Sequence, residues 1–373
     1  MSSQGSGAPL PATVAAVPRR YFALDGMRGV AAAAVILVHT ASSIAPSWSE
    51  PHFGFLAVDL FFLLSGFVLA YGYDRAFARG MTAIQFMRKR FVRLYPLFAL
   101  GLICGLGLRV VPAIRDATTT GGAMTGHEMV ISALFNAFML PAPNGAHTRF
   151  VFPADLPAWS LFLEIWVANL VFACFWKRLQ GRTLVVFIGV MALLGLASEA
   201  MFHTWNVGAI WSNFVGGFVR VGFSFTVGVA LARVHATRPP GLPVPCWLIW
   251  GALLALLFAP LSHGVGHAYE LVCVFVLFPC LIYFGADGVD RSPWLGAALG
   301  EASYAAYTLH IPLLSLLCYL APAAMVHPSP LYGIGFALAV MLLSLPVSYF
   351  YDKPAQKALR RIHWHAQPRL GGT

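Results

Sequence analysis

The stretch GMRGVAAAAVILVHT, Gly26–Thr40, decides the fold of this chain. Small and branched apolar residues fill it, and ten apolar positions separate Arg28 from His39. A segment this apolar is predicted to be part of a membrane-spanning helix. An ionisable group at the centre of such a helix costs about 2.5–3.5 kcal/mol and is usually directed into a protein interior or an aqueous cavity. The two ionisable residues of this stretch therefore need an explanation, which depends on their depth along the helix.

The composition of the whole chain agrees with a membrane environment. Of 373 residues, 59% are hydrophobic and only 10% are charged, and the mean hydropathy is +0.74. These values predict an all-α polytopic membrane bundle of about ten transmembrane helices. The expected spans are 28–45, 54–73, 91–111, 160–176, 182–201, 209–234, 246–260, 268–286, 301–321 and 331–352. A shorter apolar stretch, 128–140, is expected at the membrane interface or lying on the bundle.

Three parts of the chain are expected. Residues 1–18, rich in Ser, Gly, Ala and Pro, are predicted to form a disordered N-terminal tail. Residues 19–355 form the transmembrane domain, and residues 356–373 form a basic cytoplasmic tail. The six cysteines fall inside predicted spans without paired short spacing, which predicts neither a disulfide framework nor a zinc site.

The distribution of basic residues predicts the orientation. With the N-terminus in the cytoplasm, most basic residues, including the run 88–93, lie at cytoplasmic helix ends, whereas Arg109, Arg115 and Arg149 fall outside. Ten spans then leave both termini in the cytoplasm. The net charge of +10 is explained by this bias, so no nucleic-acid partner is expected.

Depth along the helices predicts two levels of charge. At about 1.5 Å per residue, His39 lies roughly 16 Å above Arg28, level with Asp59 and Glu164 in the outer half of the membrane. These three groups are predicted to share one cavity and to be catalytic, with a carboxylate fixing the tautomer of His39 and the imidazole acting as a base. The alternative for His39 is a core histidine bonded to a carbonyl. The cytoplasmic level holds Arg28, Arg88, Arg90 and Arg93.

The pair Arg90 and Arg93 lies three residues apart on one helix face, which leaves two interpretations open. Ordinary cytoplasmic anchoring is one. The other is a docking patch for a phosphorylated molecule, because guanidinium groups match phosphate oxygens.

Taken together and in order, the motifs YFALDGMRGVAAAAVILVH, VDLFFLLSGFVLA, MRKRFVRLYP, WSLFLE, LGEASYAAYTLHIPL and VSYFYDKPAQKALRR resemble membrane-bound acyltransferase family 3. This family O-acylates sugars of cell-surface polysaccharides, among other acceptors. The resemblance implies a ten-helix bundle, an acyl-CoA donor bound from the cytoplasm, and an acceptor usually on the other side. Near the C-terminus Asp352 stands where the family often has glutamate, so the carboxylate is kept.

The resemblance also assigns residues. It maps the Arg-x10-His motif onto Arg28 and His39 and the Arg-x-x-Arg motif onto Arg90 and Arg93. It also maps the Ser-Gly-Phe motif onto Ser65, Gly66 and Phe67, and the Trp-Ser motif with its following Glu onto Trp159, Ser160 and Glu164. Three further supporting positions, Asp25, Arg220 and His310, are predicted beside the motifs. Arg220 is expected either to pair with a buried carboxylate or to line the donor channel, and His310 is expected to be structural. The glycines in SHGVGH argue against a regular helix and a metal site at His263 and His267.

The resemblance thus implies an O-acyltransferase of a bacterial inner membrane that moves an acyl group, in the first place acetyl, from acyl-CoA to a hydroxyl of a saccharide or similar acceptor. His39 acts either as general base or as transient acyl carrier. No permanently bound cofactor and no metal are expected, and the oligomeric state is open. The alternative is a proton-coupled transporter or flippase that uses the same buried charges. It is disfavoured because the chain shows no inverted repeat.

Overall fold

The computed structural model describes residues 20–44, 53–111, 125–143, 149–239, 241–261, 263–289, 293–321 and 330–362. In these ranges the secondary structure is helical, and extended pairing is limited to two isolated bridges, Phe150 with Ile210 and Pro245 with Val289. The all-α prediction is confirmed. The expected tail 1–18 lies outside the described residues.

Eleven helices are described. They are α1 (Phe22–Ile44), α2 (Ala57–Ala78), α3 (Ala83–Val110), α4 (Gly126–Ala137), α5 (Ala158–Phe175), α6 (Gly181–Phe202), α7 (Phe214–Thr237), α8 (Cys246–Leu257), α9 (263–285), α10 (Pro293–Leu320) and α11 (330–361). Three of them contain a π-helical segment: Leu163–Asn169 in α5, Cys273–Leu277 in α9 and Ser348–Asp352 in α11. Residues 356–361 of the expected basic tail are therefore helical, and residues 363–373 lie outside the described ranges.

Within the described ranges nine helices are long and apolar enough to cross a membrane, and α8, with 12 residues, is shorter. The backbone of Val289 pairs with Val244 and Cys246, so the chain enters α8 and leaves α9 at the same end of the bundle. Because α9 is long enough to cross, α8 and the residues after it must cover the return. Among the described ranges the path thus fits nine crossings by the long helices and a tenth by α8 with the residues after it, while the predicted sidedness of the termini stays a prediction.

Asp59 and Asp74, at opposite ends of α2, mark the two ends of the bundle. We call the end that holds Asp59 the distal end, which the sequence predicts to be outside. The end that holds Asp74 is the proximal end, predicted to be cytoplasmic.

Helix α3 begins eight residues before the predicted span 91–111. Thr82 is its N-cap: the Thr82 hydroxyl accepts a hydrogen bond from the backbone of Gln85, and the Gln85 side chain accepts one from the backbone of Thr82. This capping box satisfies backbone donors at the start of the helix. Arg88, Arg90 and Arg93 consequently lie inside α3 rather than at its boundary.

Helix α4 lies on the bundle, which is one of the two placements predicted for 128–140. Its polar residues Glu128, Ser132 and Asn136 are buried, whereas Val130 and Leu134 are exposed. A helix with its polar side inward and its apolar side outward fits a surround of lipid rather than water.

Two close helix pairs frame the centre of the molecule, α1 with α10 and α2 with α7. At the second crossing, a Cβ atom on Gly66 would come within 2.0 Å of the carbonyl oxygen of Phe225, and one on Gly228 within 2.0 Å of that of Leu63. Small residues allow such close backbone approach in membrane bundles. Gly66 therefore serves packing.

Candidate active site

A cavity of about 190 Å³ lies between α1, α2, α3, α5 and α10. Three arginines line it together with one carboxylate, and five hydroxyl groups complete the polar lining. These are Arg28, Arg90, Arg93 and Glu164, with Ser65, Ser160, Ser303, Tyr304 and Tyr307. The structure thus brings together three of the four arginines predicted to bind the donor. Arg88 lies apart from them and donates to the carbonyl of Ile362 at 2.7 Å.

Arg90 is held by Glu164. Its Nη2 donates to Glu164 Oε1 at 2.9 Å, and the hydroxyl of Ser65 donates to the same oxygen at 2.6 Å. Both partners of the ion pair are 15% exposed, so the pair is largely shielded from solvent. Glu164 therefore anchors an arginine and a serine that both face the cavity.

Arg93 is held in a parallel way by Asp352. Its Nη1 donates to Asp352 Oδ2 at 3.1 Å, and the amide of Gln356 donates to the same oxygen at 2.8 Å. Asp352 is buried, whereas the Arg93 side chain keeps 36% exposure. The guanidinium group of Arg93 is thus oriented by its carboxylate and still accessible from the cavity.

Both carboxylates come from π-helical segments: Glu164 lies in Leu163–Asn169 and Asp352 ends Ser348–Asp352. A π turn inserts one extra residue into an α-helix and occurs frequently at functional sites. Two helices that are irregular at this point therefore meet the regular turn of α3 that carries Arg90 and Arg93.

Arg28 differs from the other two arginines. Among the described residues, its guanidinium group has no hydrogen-bond or ion-pair partner, yet it lines the cavity. Three guanidinium groups face two partner carboxylates, which leaves an excess of one positive charge. The cavity is therefore suited to an anion.

His39 pairs with His310 next to the cavity. Nδ1 of His39 lies 2.9 Å from the carbonyl oxygen of Val35, and Nδ1 of His310 lies 2.9 Å from that of Tyr307. Because a carbonyl only accepts, both neutral rings carry their proton on Nδ1. Nε2 of His310 lies 3.3 Å from Nδ1 of His39 and can share its proton. The lone pair of His39 is thereby assigned to Nε2.

A short path joins this pair to the cavity. Tyr307 lines the cavity and precedes His310 by three residues on α10, and their ring centroids are 6.1 Å apart. The Tyr307 hydroxyl lies 2.7 Å from that of Ser160, whose own hydroxyl donates to the carbonyl of Pro157. The hydroxyl groups of Tyr307 and Ser160 therefore lie between the two histidines and the cavity.

The prediction that His39, Asp59 and Glu164 share one cavity is wrong. Glu164 lies with the arginines because α3 starts earlier than predicted, which places Arg90 about 10 Å into that helix and within reach. Asp59 is held elsewhere by Arg220. Similar depth on different helices did not mean the same side of the bundle.

Asp59 and Arg220 form a fully buried ion pair near the distal end. Nη2 of Arg220 donates to Asp59 Oδ2 at 2.6 Å, and each side chain is 1% exposed. Arg220 also donates to the carbonyl of Val207, and its Cζ lies 5.4 Å from the ring centroid of Trp159. Trp205 donates from Nε1 to Asp59 Oδ1 at 2.9 Å. Of the two roles left open for Arg220, the structure supports pairing with a buried carboxylate.

Comparison with known proteins gives the family. The family profile of acyltransferase 3, described as an acyltransferase domain, matches residues 21–351. The chain belongs to this acyltransferase family.

Two relatives from bacteria share parts of this acyltransferase domain. "Protein 2 in picA locus" of Rhizobium radiobacter is 34% identical over 193 residues, which is 50% of this chain and 97% of that protein. "Acyltransferase MdmB" of Streptomyces mycarofaciens is 31% identical over 151 residues, 38% of this chain and 35% of that protein. No solved structure matches.

The family motifs take separate positions in the acyltransferase domain. Ser65 and Ser160 line the cavity, whereas Trp159 stacks under Arg220. Asp25 accepts from Arg20 Nε at 2.7 Å and packs against Gly300, outside the cavity lining.

Asp155 is a buried acidic residue outside the cavity lining that the sequence pattern did not single out. It is 1% exposed, and neither carboxyl oxygen has a hydrogen-bond partner among the described residues. Burial raises the pKa of Asp155 to about 8. The signal for it was an acidic residue in the apolar, Pro-bounded stretch FPADLPAWS, just before the motif that carries Trp159 and Ser160.

Proposed function

We propose that this chain is an integral-membrane O-acyltransferase of a bacterial inner membrane. It takes an acyl group, in the first place acetyl, from acyl-CoA on the proximal, cytoplasmic side and transfers it to a hydroxyl of a saccharide or similar acceptor at the distal side. The observation that carries this proposal is the cavity in which Arg28, without a hydrogen-bond or ion-pair partner among the described residues, lies beside two oriented arginines and next to the His39–His310 pair.

The arginines would bind the donor. The phosphates of CoA are multiply charged, and guanidinium groups bind phosphate oxygens in a bidentate manner. Glu164 and Asp352 hold Arg90 and Arg93 in place before the donor arrives, which lowers the cost of ordering them on binding. In the described part of the chain no carboxylate holds Arg28 in this way, so Arg28 would gain the most from a phosphate.

His39 would carry the chemistry. As general base, its Nε2 accepts the proton of the acceptor hydroxyl while the oxygen attacks the thioester carbonyl. The tetrahedral intermediate collapses, the carbon–sulfur bond breaks, and the proton passes from His39 to the CoA sulfur, giving an ester and CoA thiol. His310 would hold the tautomer by sharing the Nδ1 proton. In the alternative acyl-carrier form, Nε2 of His39 attacks the thioester first and the carbon–sulfur bond breaks, releasing CoA thiolate. The acceptor hydroxyl then takes the acyl group from the imidazole and its proton passes to the thiolate, giving the same ester and CoA thiol.

Two substitutions test the assignment on the purified protein with acetyl-CoA, followed by release of CoA thiol. His39→Ala should lower turnover by at least about 100-fold, the scale of general acid–base catalysis, while acyl-CoA binding persists. Arg28→Gln should raise the KM for acetyl-CoA with a smaller effect on kcat. Arg182→Gln, an exposed arginine on α6, is the matched control and should change neither value.

Sidedness is tested in sealed vesicles of known orientation. Acetyl-CoA on the proximal face should acylate an impermeant saccharide held on the distal face. Labelling only when both share the proximal face would overturn the through-membrane arrangement. Movement of an acceptor without cleavage of acetyl-CoA would instead identify a transporter.

A further inference from the structure

Three ligand-type side chains converge near the distal end, away from the acyl cavity. They are Glu199 of α6 with His267 and Glu270 of α9, and one oxygen or nitrogen from each lies within 4.8 Å of the others. None of the three lines the acyl cavity. The helical start of α9 puts His267 and Glu270 three residues apart and thus on one face.

Hydrogen bonds hold the cluster together, but one carboxylate oxygen in it has no donor among the described residues. His267 Nδ1 lies 2.9 Å from Glu199 Oε1, and the backbone of Trp205 donates to Glu270 Oε2 at 2.8 Å. Glu199 is nine-tenths buried, at 9% exposure, and its Oε2 has no hydrogen-bond partner among the described residues. A buried carboxylate oxygen without a donor is costly.

The net charge of the cluster also favours a bound cation. Two carboxylates with 9% and 7% exposure lie side by side, with one imidazole and one backbone N–H as their close donors. Like charges at this distance repel strongly when water is excluded. A divalent cation between them would neutralise both.

We propose that Glu199, His267 and Glu270 bind one divalent transition-metal ion of the Zn²⁺ type. Imidazole nitrogen with carboxylate oxygen is a donor set that zinc accepts in four-coordinate sites, with water as the fourth ligand. Around a tetrahedral ion, ligand atoms about 2.1 Å from the metal lie roughly 3.4 Å from one another, so atoms that all lie within 4.8 Å of one another need to close by at most about 1.4 Å. The His267 side chain is 54% exposed, which gives the ion a path of entry.

The ion would act structurally. It would tie α6 to α9, and Trp205 would link it onward, since its backbone N–H binds Glu270 and its indole N–H binds Asp59. The ion would therefore hold α6 and α9 together at the distal end, next to the Asp59–Arg220 pair, without contacting the acyl group. This departs from the sequence prediction that no metal is bound.

The test uses the full chain in detergent, stripped with a chelator and returned to Zn²⁺, with the bound metal measured by mass spectrometry after removal of free ions. We expect one Zn²⁺ per chain and a higher unfolding midpoint with Zn²⁺ than with equal Mg²⁺. His267→Ala and Glu270→Gln should each weaken binding by about tenfold or more. His203→Ala is the matched control, because His203 is an exposed imidazole just after Glu199 on the chain and is not in the cluster.

Two results would overturn the proposal. One is that the wild-type chain holds no more Zn²⁺ than His267→Ala, and the other is that His203→Ala loses as much as His267→Ala. If the ligand variants fail to fold, Co²⁺ on the wild-type chain decides. A visible ligand-field band that Zn²⁺ displaces supports the site, and the absence of such a band refutes it.

Discussion

The buried Asp59–Arg220 pair should contribute stability rather than chemistry, although the sequence places Asp59 among the catalytic residues. Asp59→Asn keeps an oxygen for the indole N–H of Trp205 but leaves Arg220 as an uncompensated charge at 1% exposure. Removing one partner of a buried ion pair costs about 3–5 kcal/mol. Arg220→Met should cost a similar amount, because it leaves the carboxylate of Asp59 buried and unpaired.

The double variant separates pairing from other effects. Asp59→Asn with Arg220→Met removes both charges and leaves chiefly two carbonyls, those of Phe55 and Val207, without their donor. At about 1–3 kcal/mol for each orphaned group, the double variant should lose about 2–6 kcal/mol, less than the 6–10 kcal/mol expected if the two single losses simply added. The expected coupling is thus about 4 kcal/mol, above the range of independent sites.

The assay is unfolding of the purified protein by SDS titration in mixed micelles, for the wild type, both single variants and the double variant. CoA release per folded molecule is measured on the same samples. Strictly additive losses would refute the reasoning. So would an Asp59→Asn protein that stays as stable as the wild type while its turnover collapses, since that result would return Asp59 to the catalytic group.

Three further outcomes are expected. Gly66→Ala should lower the unfolding free energy by about 1–3 kcal/mol because its Cβ has no space, whereas Gly72→Ala on the same helix, with nothing within 4 Å, should be tolerated in the same unfolding assay. The pKa of Asp155 is raised to about 8, so between about pH 5 and 8 the folded state keeps a proton on Asp155 that the unfolded state has lost. The free energy of unfolding should therefore fall by on the order of 1 kcal/mol per pH unit across this range. Asp155→Asn should flatten this slope in unfolding titrations. Glu164→Gln should raise the KM for acetyl-CoA more than it lowers kcat, because the residue anchors Arg90; a loss of kcat as large as that of His39→Ala would instead make Glu164 catalytic.

Hydropathy was sufficient to predict that the membrane spans exist but not where each one begins and ends. The runs of apolar residues predicted ten spans; among the described residues nine of them are long helices, and the span predicted at 246–260 is the shorter helix α8. The start of α3 was missed because the charged run Arg88–Arg90 interrupts the apolar pattern in its second turn, although Thr82 and Gln85 carry the spacing of a capping box. This single boundary decided whether Arg90 could reach Glu164.

The sequence pattern could not predict which helices are neighbours in the bundle. His39 and His310 are 271 residues apart, and only the packing of α1 against α10 brings them together. Similarly, Asp59 looked like a partner for His39 because depth can be counted along one helix, whereas the arrangement of helices around the bundle cannot. The pairing of Arg93 with Asp352 across 259 residues has the same origin.

The π segments of α5 and α11 have a consequence for how this family domain can change in evolution. One extra residue turns everything beyond it by about 100° around the helix axis. Glu164 and Asp352 each lie within such an insertion. Deleting a single apolar residue from either segment would leave composition and hydropathy almost unchanged, yet it would rotate one half of the helix against the other and could not keep both the carboxylate and the lipid-facing side in place. The positions of the two carboxylates that hold Arg90 and Arg93 therefore depend on the exact number of residues in each π segment as well as on their identity. We expect deletions in these two segments to be more damaging than substitutions.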